Sequence, residues 1–337
     1  MREPDRTQDP DRACEPDPLQ APAIVIQQLR KVVGASFSLG PVSLVIPRGT
    51  VCALVGPNGA GKTTLLNLLM GIAPPDGGRA SVLGHDIATA AVAIKRQAAF
   101  VSPEVSYRAW GTVGRSIDFV RGFYPDWNAQ RCEQLLDRLG LKRQDRVDAL
   151  SFGGRVKLSL LMALARNANL LLLDEPSIGL DPLARQTLFA ELLGFMRSED
   201  RTIVISSHQL TELERFADYV VVMNQGRIVT SGATPDLLDR YVELDVLLKQ
   251  DRVPDCAAVR LLAREGDRAR LLLDRGAGVE PAGSGGGPAS GREPLFDSVA
   301  LSGVEVITER ALTLEELFIA LVKSNSGRRW QPRVAAA

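Results

Sequence analysis

The sequence predicts an α/β fold organised around a mostly parallel sheet, and three observations predict it. Short apolar runs at residues 51–55, 99–102, 170–174, 202–206 and 219–223 alternate with helix-like segments, the order expected of buried parallel strands. The run Gly56-Pro57-Asn58-Gly59-Ala60-Gly61-Lys62-Thr63-Thr64 sits between the first of those strands and the helix-like stretch Leu65 to Met70. A third run, Leu170-Leu171-Leu172-Leu173-Asp174-Glu175-Pro176, is an apolar strand that ends in two acids.

Taken in chain order, residues 1–21 hold six Asp/Glu, three Arg and four Pro with almost no large apolar side chain, so this segment is expected to be disordered. Two early strands follow, Ala23-Ile24-Val25-Ile26 and Val42-Ser43-Leu44-Val45-Ile46. Between the glycine loop and Leu170 lies a helix-rich insertion, about 104–166. There Cys132, Leu135, Leu136 and Leu139 fall on one helical face, with Asn128 placed to cap and Gly140 to stop the helix. Asn224-Gln225-Gly226 predicts a hairpin between residues 219–223 and 227–230.

After Tyr241 the composition shifts, which places a domain boundary near 242. Residues 242–249, 269–274 and 304–307 read as strands. Thr313-Leu314-Glu315-Glu316 is a capping box opening a helix with Leu314, Leu317, Phe318 and Leu321 on one face. The expected organisation is a main domain over 22–242 and a small α+β domain over 243–325. A Gly/Pro/Ser-rich loop at 276–292 interrupts the second, and a tail follows at 326–337.

Composition narrows the chemistry. The 337 residues carry 40 basic and 40 acidic side chains, so no general attraction to nucleic acid is expected. The four cysteines, Cys14, Cys52, Cys132 and Cys256, show neither metal nor disulfide spacing, and Cys52 and Cys132 fall inside apolar patterns. A reducing, cytoplasmic setting is the simplest expectation. No apolar run approaches the ~20 residues that cross a bilayer, so a membrane role requires a separate partner.

The glycine run fits G-x-x-x-x-G-K-[ST] in the order strand, loop, helix start. Glycines let backbone N–H groups turn inward on phosphate oxygens, and the helix N-terminus adds partial positive charge. Lys62 can then reach the terminal phosphates and the Thr63 hydroxyl can ligate Mg²⁺. Asp174, at the end of a buried strand, is placed to hold Mg²⁺ through water. Glu175 beside it can polarise an attacking water. These residues imply a nucleoside triphosphate site.

Leu150-Ser151-Phe152-Gly153-Gly154 then precedes a helix-like run from Arg155 to Arg166. At this point the chain resembles the ATP-binding cassette (ABC) ATPases, whose signature is usually Leu-Ser-Gly-Gly-Gln and stands between the helical insertion and the acidic strand. The resemblance implies the P-loop NTPase fold of that family, with an antiparallel β subdomain and a helical subdomain. It assigns Ser151 and Gly153 contacts to the γ-phosphate held by a second subunit. Phe152 and Gly154 depart from the pattern. Ser177-Ile178-Gly179-Leu180-Asp181 looks like the family's D-loop at the dimer seam, and His208 matches the switch histidine. Glu104 stands where the family usually has glutamine, at the Mg²⁺ and the junction to the membrane partner. The aromatic that usually stacks on adenine is absent: Val33 takes its approximate place, and Phe37 is near enough to substitute.

The resemblance extends over residues 23–240 and is closest to bacterial export-type (ABC-2-like) subunits. It implies ATP and Mg²⁺ as cofactors, a homodimer or a heterodimer with a homologous ATPase, and a separately encoded permease. The chain is then expected at the cytoplasmic face of the membrane. Trp110 and Tyr124, the latter in Phe123-Tyr124-Pro125-Asp126-Trp127, are either docking surface or helical-domain core. Two other outputs compete: a soluble ABC protein acting on ribosomes or DNA, and a low-turnover regulatory module. The first usually carries two cassettes or a long coiled coil, and the intact Asp174-Glu175 pair speaks against the second.

Overall fold

The computed structural model describes residues 21–34, 36–197, 200–207, 210, 213–249, 253–254, 256, 258–276 and 304–323. The expectations for residues 1–20, for the glycine-rich loop beyond 276 and for the tail lie outside the described residues, as does that for His208.

A central six-stranded sheet has the order β10-β9-β3-β8-β7-β6. Its strands are β3 (Val51–Val55), β6 (Ala98–Val101), β7 (Leu170–Asp174), β8 (Thr202–Ser207), β9 (Tyr219–Asn224) and β10 (Arg227–Ala233). The first five pair in parallel, and β10 returns antiparallel through a turn with Gln225 and Gly226 both at positive φ. Those dihedrals match the twist of a tight hairpin.

Because side chains alternate across a strand, this sheet divides two cores. Cys52, Leu54, Leu170, Leu172, Val204, Val221 and Met223 face one side. There they meet helix α1 (Lys62–Leu69) and an antiparallel sheet ordered β2-β1-β4-β5. That sheet is built from β1 (Ile24–Val33), β2 (Phe37–Ile46), β4 (Gly77–Val82) and β5 (His85–Asp86). Val51, Ala53, Val55, Leu171, Leu173, Ile203, Ile205, Val220 and Val222 face the other side. They pack on the helices of the insertion and on α6 (Pro182–Phe195). Strands buried on both faces explain why the runs read as continuously apolar.

The short helix α2 (Ala91–Gln97) leads into β6, and the insertion then contains α3 (Val113–Arg121), α4 (Ala129–Leu139) and α5 (Phe152–Leu164). In α4 the predicted caps are present: the Asn128 side chain accepts from Arg131 N–H, and Gly140 is left-handed. Burial pushes the Cys52 thiol pKa up, and burial with the nearby Glu133 pushes Cys132 up to about 11, so both act as small apolar side chains.

The short helix α7 (Thr234–Arg240) leads into a third sheet, ordered β12-β13-β11-β14. It comprises β11 (Tyr241–Leu248), β12 (Val259–Glu265), β13 (Arg268–Asp274) and β14 (Val304–Ala311). The following helix, α8 (Leu314–Lys323), has its capping box in place: Thr313 N–H donates to Glu316 Oε2 at 2.9 Å, and Glu316 N–H donates to Thr313 Oγ1 at 3.2 Å. Leu314, Leu317 and Leu321 of α8 join the core beneath α6, and Leu314 N–H donates to Glu214 Oε1 at 3.1 Å. Among the described residues no helix is long and apolar enough to cross a membrane.

Candidate nucleotide site

The glycine loop leaves β3 and enters α1 with Gly59 and Gly61 at φ of 79° and 101°, values that favour glycine. Gly61 occupies the N-cap of α1, and no side chain caps that end, so its first-turn N–H groups lack a side-chain acceptor. The β9–β10 hairpin fixes the loop's position. Gly226 N–H donates to Ala60 O at 2.9 Å, and a Cβ on Gly56 would come 2.5 Å from Met223 O. Pro57 is half-buried, Asn58 is exposed, and Thr64 lies half-buried on the first turn of α1.

Five polar side chains converge at the C-terminal ends of β7 and β8, beside this loop. Thr63 Oγ1 donates to Asp174 Oδ2 at 2.7 Å, and Ser206 Oγ donates to Asp174 Oδ1 at 2.7 Å. The same Ser206 oxygen accepts from Glu175 N–H at 2.9 Å. Parallel pairing sets this arrangement, since Asp174 stands opposite Ser206 in the β7–β8 register. Lys62, only 6% exposed, donates to Gly56 O at 2.7 Å, and its Nζ lies 3.3 Å from Glu175 Oε1. Glu175 has φ of 47°, a left-handed conformation costly for a residue with a Cβ. Such strain persists where surrounding contacts over-determine it, and it clusters at functional sites.

The set fits a magnesium nucleotide. A hydroxyl and a carboxylate adjoin a phosphate-binding helix end, and among the described residues no group of three or more His, Cys, Asp or Glu could hold a metal alone. Mg²⁺ is ordinarily held in this way, by one or two protein oxygens with phosphates and water supplying the rest.

The remaining candidates sit on other turns, helix ends and strands. Glu104 is on the exposed turn after β6, its N–H donating to Ser102 Oγ at 3.3 Å, and its carboxylate does not join Thr63 and Asp174. Ser151 is exposed and N-caps α5, accepting from Gly154 N–H at 3.1 Å. Gly153 is buried against the Ser177–Asp181 turn: a Cβ there would meet Gly179 O at 2.5 Å. Phe152, 38% exposed, covers Gly179, where an added Cβ would meet its ring at 2.5 Å. That contact gives the unusual phenylalanine a physical role. Asp181 N-caps α6 through Ala184 N–H at 2.9 Å, and this bond holds its carboxyl below the usual range. Val33 is exposed, whereas Phe37 packs beside Gly61 and against the core. Trp110 stacks with Phe119 at 4.6 Å, and Tyr124 lies beneath the Arg166 guanidinium at 3.6 Å.

Sequence reasoning missed Ser206. Its signal was a pair of serines ending an otherwise apolar strand, a polar choice for a buried position.

Sheet order, phosphate loop and paired acids together define a P-loop ATPase of the cassette type. The family described as ABC transporter matches residues 39–178. An ABC transporter ATP-binding protein of a Nostoc species is 33% identical over 232 residues, covering 64% of this chain and 68% of the relative. The Nod factor export ATP-binding protein I of Cupriavidus pinatubonensis is 31% identical over 237 residues, 69% of this chain and 73% of that protein. A solved ATP-binding subunit of an ABC transporter superposes with a TM-score of 0.58 at 27% identity, covering 64% of this chain and 92% of that one. An ATP-binding cassette solved as a dimer with ADP and Pi shares the fold, with a TM-score of 0.55 at 19% identity over 63% of this chain and 98% of its own. The chain belongs to the ABC transporter ATP-binding proteins; it binds and hydrolyses ATP to power a transporter.

Proposed function

We propose that the chain drives export through a separate membrane permease, as one half of a dimer that closes on two Mg²⁺–ATP and reopens after hydrolysis. The observation that carries this reading is the Lys62–Glu175–Ser206–Asp174–Thr63 cluster beside the phosphate loop, with Ser151 exposed to solvent at the start of α5. Phosphoryl transfer to water needs positioning and charge neutralisation more than covalent chemistry. In this reading Thr63 and Asp174 would hold Mg²⁺, which would offset the charge of the phosphates. Lys62 leaves the Gly56 carbonyl for phosphate oxygens, and Glu175 takes a proton from the attacking water. His208, four residues beyond β8's Val204, senses the γ-phosphate. Ser151 and Gly153 reach the triphosphate of the opposing subunit, and Asp181 lies at the seam. Tighter ATP binding to the closed dimer converts chemical free energy into motion.

The direction is proposed from relatives whose names specify export. Glu104 and the aromatic cluster of half-buried Trp110 with exposed Phe119 and Phe123 form the face offered to the permease at the cytoplasmic surface of the membrane. The 22–242 and 243–325 division remains the proposed domain organisation, with α8 lying back on the first unit's core.

The test combines kinetics with fractionation. ATPase activity that rises faster than linearly with protein concentration, vanishes on chelation of Mg²⁺, and floats with membranes only while the permease is present supports the reading. Activity linear in concentration down to dilute monomer rules out a pocket shared between subunits.

A further inference from the structure

Glu191 is a carboxylate only 3% exposed, on the face of α6 that meets α4. Its two oxygens are held from α4, one by Arg131 in a very close contact and one by Arg138 at 2.8 Å. The two helices belong to the segments that carry the proposed clamp. α4 precedes α5, which opens at Ser151, and α6 opens directly after the Ser177–Asp181 turn. At their other end the same segments touch again, where Gly153 presses on the Gly179 carbonyl. The α4–α5 segment is thus tied to the α6 segment at two places, one a backbone contact beside Ser151 and one an ion triad on α4.

An ion triad around a buried carboxylate adds little net stability over well-packed apolar side chains, yet removing that carboxylate's charge leaves the partly buried Arg131 without its partner, which is costly. Its charge-assisted hydrogen bonds are directional, so it restricts geometry more than it adds cohesion. We propose that Glu191 is a positioning residue for hydrolysis: by locking α4 to α6 it sets the attitude of the Ser151–Gly153 turn that this chain presents to a second subunit. The inference rests on the shared-pocket reading above.

The test uses the full chain. Glu191→Gln keeps the shape of the side chain and removes its charge. Its own phosphate loop is untouched, so ATP affinity should stay within about twofold of the parent while kcat falls at least about tenfold, the effect of a small misplacement. Mixing it in equal amounts with Lys62→Ala should raise turnover at least about twofold over either variant alone, because half of the dimers are then mixed and one pocket of each combines an intact loop with an intact clamp. A merely destabilised chain would not be rescued in this way. Arg138→Gln, altered at a side chain 57% exposed, should give a smaller loss of kcat with ATP affinity again within about twofold of the parent, and it serves if Glu191→Gln does not fold. Ser151→Ala mixed with Lys62→Ala is the control. If that pair recovers and Glu191→Gln does not, or if Glu191→Gln turns over like the parent, Glu191 has no positioning role. If neither pair recovers, the shared pocket itself is wrong.

Discussion

Lys62 and Glu175 meet at the mouth of the phosphate loop, Nζ to Oε1 at 3.3 Å, with both side chains largely buried. The cation is therefore held by the acid beside the reaction site and by the loop's own Gly56 carbonyl. In the proposed mechanism a triphosphate arriving there would offer Lys62 stronger acceptors and release Glu175 to face water.

Glu175→Gln should bind ATP at least as tightly as the parent, since the amide holds Lys62 less firmly. Turnover should fall by about 10²-fold or more, the usual contribution of a positioned base. Equilibrium binding and steady-state phosphate release measure the two effects, and near-parental turnover would remove Glu175 as the base.

Ser206→Ala should weaken both function and fold. The change deprives Asp174 Oδ1 of a donor and Glu175 N–H of its acceptor in a buried setting. The expected cost is about 1–3 kcal/mol. Denaturant unfolding measures it, and a fall in kcat larger than the rise in KM would show that the acid pair has shifted.

Gly153→Ala should abolish most hydrolysis while leaving ATP binding to the monomer intact, because its Cβ would press on rigid backbone at Gly179 O. Overpacking of this kind costs about 1–3 kcal/mol. Gly194→Ala is the contrasting case. Nothing lies within 4 Å of its added Cβ on α6, so stability should rise by about 0.5–1 kcal/mol with activity unchanged. Thermal unfolding and ATPase rates of the two variants decide both statements.

Acid should loosen the C-terminal helix through Glu316. Its carboxyl is held below the ordinary value of 4.5, first by Thr313 N–H and then by Arg310. A lowered pKa in the folded state means the unfolded chain binds more protons, so this contribution is present above 4.5 and is lost as pH falls below it. Glu316→Gln should therefore flatten the acid limb of a melting-temperature profile. An unchanged slope would show that the cap does not contribute.

The local signals were legible wherever a short-range rule governs. Period-two burial divided Val51, Ala53 and Val55 from Cys52 and Leu54 between two cores. The Asn128 and Thr313 caps formed as their spacing requires. Strand β4 gave little signal because its sequence opens Gly77-Gly78-Arg79, and it is ordered by pairing with β1. Strand β12 was missed for a similar reason: all but Val259 of its residues are half-buried or exposed, and β13 supplies its hydrogen bonds.

The sequence by itself determined the nucleotide chemistry, since a phosphate loop, its lysine and its threonine are contiguous and obey local backbone geometry. Only the tertiary structure decided that Ser206 bridges the two acids, that Gly226 holds Ala60, and that Phe152 covers Gly179. Each of those contacts joins residues far apart in the chain. Strand register and close backbone approach set such contacts, and neither is encoded in a short run of residues.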